Sequence, residues 1–394
     1  MERIGIYGGT YNPPHIGHLR AAAFGARALE LDRLLLIPTA IAPHKQMPEN
    51  SPSPQQRLDM LLLATKDRED FSVSDMELRR EGKSYTVDTV TELCRQYPEA
   101  ELFLMMGTDM FVSFLGWYQP ERIMELVTLA VFCRGEKQEK ARILEQKEKL
   151  ESMGGRVVLL DNPVTAISST DLRRMLIFGC AEEFLHPAVE LYIRRNGLYG
   201  TGRNYRNLPM EELEKVVISL LNPNRVAHVL GCRDTAVELA RHWGANESDA
   251  ARAGILHDIT KAIDGPLQLT LCRSYGKILS DFSKKYPKTL HALTGSLVAE
   301  RIFGENEAVV SAICHHTTGR GDMTLLEKII YVADYMEPCR NFPGVEELRR
   351  LAFVDIDRAL KLGLEMTLEH LARQGSEVSP ESRQALAWLN ARIV

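Results

Sequence analysis

Residues 3–18 read RIGIYGGTYNPPHIGH, and this stretch decides the fold of the first half of the chain. Its first six residues have the composition of a buried strand, and the glycines and prolines after them indicate a loop. The following residues, LRAAAFGARALE (19–30), have the composition of a helix. Since a strand, a glycine-containing loop and a helix begin a βαβ unit, we expect a ligand at the carboxyl end of this strand.

Five further apolar runs, each followed by helix-compatible sequence, repeat the pattern up to about residue 200. They are DRLLLIPT (32–39), FSVSDM (71–76), ELFLMMG (101–107), LAVFCR (129–134) and RVVLLD (156–161). This alternation predicts an α/β, Rossmann-like domain with a parallel sheet over residues 1–200.

The second half of the chain has a different pattern. GTGRNYRNLP (200–209) interrupts the alternation, and Gly197 stands where a helix C-terminal glycine is expected. Beyond it, segments such as EELEKVVISLL (211–221) and LLEKIIYVADYM (325–336) repeat apolar residues at helical spacing. We therefore predict a second, all-α domain over residues 205–394.

Composition excludes several classes of protein. The 394 residues include 48 basic and 53 acidic side chains, so the net charge of -5 gives no cationic field for nucleic acid. Seven scattered cysteines without a C-x-x-C pair argue against disulfides and zinc knuckles. The start lacks the layout of a signal peptide, and no apolar run approaches the ~20 residues of a membrane span. We expect a cytoplasmic protein that binds neither membranes nor nucleic acid, whereas small anionic ligands need only local cations.

The loop of residues 8–18 has the features of a phosphate site. Gly8 and Gly9 let the backbone approach phosphates, and His15 and His18 lie three residues apart at a predicted helix start. Two such imidazoles can donate hydrogen bonds to phosphate oxygens while charge moves between attacking and leaving groups. Taken alone, the two histidines would ordinarily be capping or core residues.

A second candidate phosphate segment is ISSTDLRR (167–174). It places hydroxyl groups at a predicted helix start and arginines one turn later. An ordinary capping box of Ser168 with Asp171 is the alternative.

Together the two segments resemble the HIGH-motif nucleotidyltransferases, and specifically the bacterial nicotinate-nucleotide adenylyltransferase family, over residues 1–200. That family transfers AMP from ATP to nicotinate mononucleotide with Mg²⁺, giving deamido-NAD and pyrophosphate. The resemblance implies His15 and His18 as catalytic residues. The ATP-binding residues that it implies are Gly8, Gly9, Thr10, Lys45, Ser168, Ser169, Thr170 and Arg173. The loop has Tyr11-Asn12 where Phe-Asp is commoner in the family.

Further motifs of the same resemblance concern the nicotinate nucleotide. KSYTVDT (83–89), GTD (107–109) and Trp117 match the family in order. They imply Tyr85, Thr86, Asp109 and Trp117 as nucleotide-binding residues, Trp117 offering a ring for stacking. Each could also be a capping or core residue, and an adenylyltransferase acting on nicotinamide mononucleotide or phosphopantetheine is the nearest alternative.

The second half contains histidines and aspartates in a spaced series. His257-Asp258 stand together in AGILHDITK, and Asp334 lies in an apolar helical run. Imidazole and carboxylate suit iron, manganese or zinc, and ligands from several helices converge inside a bundle. An isolated HD dipeptide would ordinarily be only a cap beside a surface histidine.

The whole series resembles the HD-domain metal phosphohydrolases over residues 205–394. HHTTGRGDMTLLEKIIYVADYMEP (315–338) and NFPGVEELRRLA (341–352) match the YqeK-type subgroup, the symmetrical diadenosine-tetraphosphate hydrolases. The resemblance implies two transition-metal ions, expected to be iron. His228, His257, Asp258 and Asp334 would hold one ion and His291 and His316 the other, with Asp258 bridging and acting in catalysis.

The neighbouring residues receive subsidiary assignments. His315, next to His316, is given a supporting or surface role. Lys261, Arg320 and Arg340 are candidates for substrate phosphates, with a solvated surface role as the alternative. The sequence thus predicts a bifunctional enzyme with ATP, nicotinate mononucleotide and diadenosine tetraphosphate as substrates. Another nucleotide substrate, a regulatory nucleotide-binding role for the helical half, and homo-oligomerisation stay open.

Overall fold

Parallel strands form the centre of the first part of the chain. The computed structural model describes residues 1–41, 47–133, 137–163, 165 and 167–393. Its strands are β1 (Arg3–Gly9), β2 (Arg33–Pro38), β3 (Phe71–Val73), β4 (Glu101–Gly107), β5 (Thr128–Phe132) and β6 (Arg156–Leu160). They pair in the order β3-β2-β1-β4-β5-β6, all parallel, which confirms the predicted α/β sheet.

Helices cover this sheet on both faces. They are α1 (Ile16–Ala28), α2 (Pro54–Thr65), α3 (Thr86–Gln96), α4 (Thr108–Val112), α5 (Pro120–Leu126), α6 (Lys137–Ser152), α7 (Ser169–Ile177) and α8 (Pro187–Arg195). Alternate strand residues face opposite sides: Leu35 and Leu104 join the core with α3 and α5, whereas Leu34 and Phe103 join the core with α1. Both sides of the sheet are therefore buried, as parallel sheets require.

Close packing of α1 on the sheet depends on glycines. A Cβ atom at Gly5 would lie 2.3 Å from Leu31 Cδ1, and one at Gly25 would lie 2.3 Å from Met105 Cε. The strand order reverses between β1 and β4, and such a switch point opens a crevice at the carboxyl ends of the strands. Gly9 and Gly107 end these two strands, so the segment after β1 and the GTD motif (107–109) both lie at this crevice.

The rest of the chain is helical. Its helices are α9 (Met210–Leu220), α10 (Val226–Trp243), α11 (Glu247–Leu256), α12 (Gly265–Ser274), α13 (Asp281–Lys285), α14 (Leu290–Val298), α15 (Glu307–His315), α16 (Leu325–Met336), α17 (Val345–Ala352), α18 (Ile356–Arg373) and α19 (Pro380–Arg392). No strand occurs in residues 204–393, so the prediction of an all-α second half is confirmed.

Helix α16 lies at the centre of the helical bundle. It packs against α10, α11, α15, α17 and α18, and most of its residues are buried. Thr324 caps it in a capping box with Glu327. Because α10, α11, α14, α15 and α16 pack on one another, side chains at their inner ends can meet.

The chain divides into two compact units, Met1–Arg203 and Asn204–Val394. Gly197 follows α8 with φ 59°, the left-handed backbone expected of a glycine beyond a helix C-terminus. None of the described helices has the length and apolarity to cross a membrane.

Candidate active sites

The loop after β1 is fixed by a buried tyrosine. Tyr11 has φ 45°, and its hydroxyl donates to the carbonyl oxygen of Tyr7 at 2.7 Å. Its ring lies 5.2 Å from the ring of His18, centroid to centroid, and burial raises the Tyr11 pKa well above its usual value. Tyr11 stands where Phe is commoner in the family that the loop resembles. The tyrosine therefore makes a hydrogen bond that a phenylalanine could not make.

His15 and His18 lie together at the start of α1. His15 is the N-cap residue and is buried, and the two ring centroids are 3.7 Å apart. The backbone N–H of His15 donates to His18 Nδ1 at 3.3 Å. Because Nδ1 accepts this bond, a neutral His18 carries its proton on Nε2 and presents a hydrogen-bond donor there.

The beginning of α7 is tied to the same loop. Arg173 donates from Nη1 to the carbonyl oxygen of Asn12 at 2.8 Å and from Nη2 to Thr170 Oγ1 at 3.0 Å. Ser169 Oγ donates to the Pro13 carbonyl oxygen at 3.5 Å. Ser168 is the N-cap of α7: it accepts the Asp171 N–H at 3.0 Å, and its hydroxyl donates to Asp171 Oδ2 at 2.6 Å, without the reciprocal backbone bond of a capping box. The two predicted phosphate segments, far apart in sequence, thus lie side by side.

Two residues that the sequence did not single out also hold this loop. Arg57 is 2% exposed and donates to the carbonyl oxygens of Thr10 at 2.7 Å and Ala40 at 3.0 Å. The Tyr199 hydroxyl donates to Asn12 Oδ1 at 2.8 Å. Burial lowers the pKa of Arg57 and raises that of Tyr199. Arg57 stands before the apolar run of α2, a position at which an arginine carries no distinctive sequence signal.

The predicted nicotinate-side residues lie after β3 and β4. Tyr85 stands at the N-cap position of α3 without a side-chain capping bond, and its ring lies 4.7 Å from that of Tyr118, while Thr86 is the first residue of α3. Asp109, on α4, is exposed and lines a pocket with Arg142. Trp117 is half-buried against Phe114, with ring centroids 5.3 Å apart. Lys45 lies outside the described residues.

In the helical unit, six predicted metal ligands converge. His228 lies on α10, His257 and Asp258 follow α11, His291 lies on α14, His316 follows α15, and Asp334 lies on α16. His228 Nε2 lies 3.2 Å from Asp334 Oδ1 and 3.3 Å from His257 Nε2. Ligand atoms of two groups lie within 4.8 Å of one another: His228, His257 and Asp334, and His257, Asp258 and His316.

Asp258 lies between two sets of histidines. Its Oδ2 is 3.6 Å from His228 Nε2 and 3.5 Å from His257 Nε2, while its Oδ1 is 3.5 Å from His291 Nε2 and 3.9 Å from His316 Nε2. This buried Oδ1 has no hydrogen-bond partner. A buried carboxylate oxygen surrounded by imidazole nitrogens fits a divalent cation, so the donor set is suited to metal ions.

Burial keeps two of these imidazoles neutral. It lowers the pKa of His291 to about 3, assisted by the charge of Lys261, and the pKa of His316 to about 4, assisted by the neighbouring His257 imidazole. Neutral imidazole is the form that ligates metals. His315 is outside the group of predicted metal ligands. The charges of Glu327 and Arg320 act on its imidazole ring.

Cations surround the carboxylates. Arg225, which the sequence did not single out, donates from Nε to Asp258 Oδ2 at 2.6 Å, and Arg340 donates from Nη2 to Asp334 Oδ1 at 2.6 Å. Lys261 Nζ lies 3.0 Å from His291 Nε2. Arg320 instead donates from Nε to buried Glu327 at 3.1 Å. Three cations, Arg225, Lys261 and Arg340, thus border the candidate metal centre.

Known proteins resemble the two units separately. A cytidylyltransferase-like family model matches residues 6–175, and an HD domain model matches residues 225–339. The chain is 36% identical over 200 residues to a "Probable nicotinate-nucleotide adenylyltransferase" of Exiguobacterium sibiricum, covering 50% of this chain and 100% of the relative. A Thermus thermophilus protein of the same name is 41% identical over 198 residues, covering 50% of this chain and 99% of the relative.

A solved structure is also similar to part of the chain. It is a "predicted HD superfamily hydrolase involved in NAD metabolism" from Clostridium acetobutylicum, 35% identical, covering 47% of this chain and 98% of that chain, with a TM-score of 0.46. The chain therefore belongs, through its first half, to the nicotinate-nucleotide adenylyltransferase family, and it contains an HD domain in its second half.

Proposed function

We propose that the first unit transfers the adenylyl group of ATP to nicotinate mononucleotide. A phosphate oxygen of the mononucleotide bonds to the α-phosphorus of ATP, the bond from that phosphorus to the oxygen bridging to the β-phosphorus breaks, and pyrophosphate leaves with its Mg²⁺. The observation that carries this proposal is the pairing of His15 and His18 at the carboxyl end of β1, beside α7. The relatives' printed name gives the same activity.

The chain's part in this reaction is to position phosphates and neutralise charge. His15 and His18 would donate hydrogen bonds to phosphate oxygens, with Gly8, Gly9 and Thr10 forming the adjacent backbone surface. Ser169, Thr170 and Arg173 would bind the triphosphate from α7, with Ser168 shaping the helix start, and Lys45 would add a cation. No covalent intermediate with the enzyme is needed.

The acceptor would bind between the loops after β3 and β4. Tyr85, Thr86 and Asp109 would contact the mononucleotide, and Trp117, supported by Phe114, would stack on the pyridine ring. Nicotinamide mononucleotide and phosphopantetheine are the alternative acceptors. The test is to supply each acceptor with Mg²⁺ and ATP, and to measure pyrophosphate release and the adenylated product. Product with nicotinamide mononucleotide or phosphopantetheine alone would refute the assignment.

For the HD domain we propose metal-dependent hydrolysis of diadenosine tetraphosphate to two ADP. The observation that carries this proposal is the placement of Asp258, with one oxygen toward each set of histidines. His228, His257, Asp258 and Asp334 would hold one ion, and His291 and His316 the other, with Asp258 bridging. Two divalent ions, which we propose to be iron, would acidify a water and neutralise phosphate charge.

The cations around this centre would bind the phosphate chain. Water oxygen bonds to one of the two central phosphorus atoms, and the bond to the central bridging oxygen breaks, so that each product keeps two phosphates. Lys261 and Arg340 would contact the phosphates together with Arg225, because all three border the ligand group. Arg320, which pairs with Glu327, would lie farther along the phosphate chain of the substrate.

The test uses the full chain loaded with Fe²⁺ under anaerobic conditions and incubated with diadenosine tetraphosphate without nicotinate mononucleotide. We expect ADP alone, and no product from His257→Ala. ATP plus AMP would refute the symmetrical cleavage. No cleavage by metal-loaded protein would favour another nucleotide substrate or the regulatory alternative, in which the HD domain binds a nucleotide without hydrolysing it.

A further inference from the structure

Three of the four histidines at the candidate metal centre are oriented by the same local contact. His257 Nδ1 lies 2.8 Å from the carbonyl oxygen of Gly254, His291 Nδ1 lies 2.9 Å from that of Lys288, and His316 Nδ1 lies 2.7 Å from that of Ile313. In each case the carbonyl belongs to the residue three positions earlier. A neutral ring held in this way carries its proton on Nδ1 and directs the Nε2 lone pair inward.

His228 is oriented differently. Its Nδ1 lies 3.0 Å from Oε1 of Glu337, a residue 109 positions away in the sequence. Both side chains are buried, at 7% and 1% exposure. The second oxygen of Glu337 accepts the backbone N–H of Cys339 at 2.6 Å, so both carboxylate oxygens have a partner. His228 is therefore the one histidine of the four whose Nδ1 pairs with a carboxylate instead of a backbone carbonyl.

The surroundings are shaped to hold Glu337 in this place. A Cβ atom on Gly231, one turn after His228 on α10, would lie 2.7 Å from Glu337 Oε2. Arg349, on α17, donates to the backbone carbonyl oxygens of Met336 at 2.9 Å and Glu337 at 3.0 Å. A glycine that makes room and an arginine that fixes the backbone indicate that the position of this carboxylate is specified by the fold.

A carboxylate and a carbonyl have different effects on an imidazole. The negative charge of a carboxylate that accepts the Nδ1 proton makes Nε2 a more basic ligand than a neutral carbonyl does. Both Glu337 oxygens are engaged away from the Nε2 atom of His228, one by His228 Nδ1 and the other by the Cys339 N–H. Its hydrogen bond to the ligand group is with His228, and Arg340 Nε lies farther from it, at 3.8 Å from Oε1.

We propose that Glu337 is a positioning residue that makes the metal subsite of His228 and Asp334 bind divalent ions more tightly than the subsite of His291 and His316. This inference rests on the proposed two-metal function of the HD domain. It predicts that the two subsites fill one after the other as metal is added. The subsite of His228 and Asp334 fills first, and only its affinity depends on Glu337.

The test is a titration of the metal-stripped full chain with Co²⁺, followed by visible absorption and by calorimetry. The wild-type chain should show two binding steps. Glu337→Gln, which keeps the shape but loses the charge, should weaken the tighter step about 10–100-fold and leave the weaker step unchanged. An unchanged tighter step, or weakening of the other step, would overturn the inference. If the wild-type chain bound no Co²⁺, the proposed metal site itself would be wrong, and this inference with it.

Two further variants separate positioning from general destabilisation. Glu305→Gln removes a buried carboxylate that pairs with Arg252 away from the centre, and it should lower the unfolding temperature without changing either Co²⁺ constant. Gly231→Ala should weaken the tighter step as Glu337→Gln does, because the added methyl displaces the carboxylate. It keeps the inference testable if Glu337→Gln does not fold. Equal weakening by Glu305→Gln would refute a specific role of Glu337.

Discussion

Replacing Arg57 by methionine should both destabilise the first unit and impair adenylyl transfer. The guanidinium group of Arg57 is buried and joins two segments, because it donates to Thr10 O after β1 and to Ala40 O after β2. Methionine has a similar length and apolar character but no donor. Arg57→Met would therefore leave two carbonyl oxygens without these bonds and release the loop that leads to His15.

The magnitude follows from the two hydrogen bonds. Each hydrogen bond to a charged group contributes about 1.5–3 kcal/mol, and relief of the buried charge offsets part of the loss. We expect a net loss of about 3 kcal/mol in the free energy of unfolding. For a unit of this size that lowers the unfolding temperature by roughly 6–12 °C. Displacement of the loop should lower kcat/KM for ATP by about 10–100-fold.

The assay is scanning calorimetry of the full chain together with pyrophosphate release. The transition that nicotinate mononucleotide raises in temperature belongs to the first unit, since a ligand stabilises the fold that binds it. Arg57→Lys should recover only part of both losses, because an ammonium group lacks the planar fork that reaches two carbonyls. Arg27→Met, at an exposed position on α1, is the matched control and should change neither. An Arg57→Met protein with wild-type stability and kcat/KM would refute the bracing role.

The other predictions concern the active sites and pH. His18→Ala should lower kcat of pyrophosphate release by about 10²–10³-fold, because a donor to the reacting phosphates is lost; an unchanged kcat would remove His18 from the mechanism. Trp117→Ala should raise KM for nicotinate mononucleotide about tenfold or more through lost stacking, whereas Trp117→Phe should stay near wild type. Burial raises the pKa of Glu77, so its contribution to stability is present below the unfolded pKa of about 4.3 and is lost as pH rises through the folded value. Glu77→Gln should therefore gain stability relative to wild type from pH 4 to pH 7 in urea unfolding, and a difference independent of pH would contradict this. Stripping metal with a chelator should lower the unfolding temperature of the HD unit alone, since a metal at 100 times its Kd contributes about 2.7 kcal/mol; calorimetry with and without added ion measures the shift.

The architecture was largely predictable because its signals are local. All six strands lie where apolar runs stand in the sequence, and capping residues such as Thr324 lie at helix starts. The strand order was not predicted. It depends on which strands pair across the sheet, and the pairing of β1 with β4 joins segments almost 100 residues apart.

The candidate site was predictable where residues have a distinctive chemistry. His257, Asp258 and Asp334 stand out because histidine and aspartate in apolar helices need a partner. Arg57, Arg225 and Glu337 do not stand out. Each is an ordinary charged residue in sequence, and its importance comes from burial and from a partner that lies many positions away.

By itself the sequence determined the two kinds of domain, the strands and helices, and the residue types for phosphate and metal chemistry. Those properties follow from periodicity and composition over short segments, which the chain carries before it folds. Only the tertiary structure decided that α7 lies against the β1 loop, that Asp258 faces histidines on both sides, and that a carboxylate orients His228. These contacts join distant segments, and their strength depends on exclusion of water, which exists only after the helices and sheet have packed.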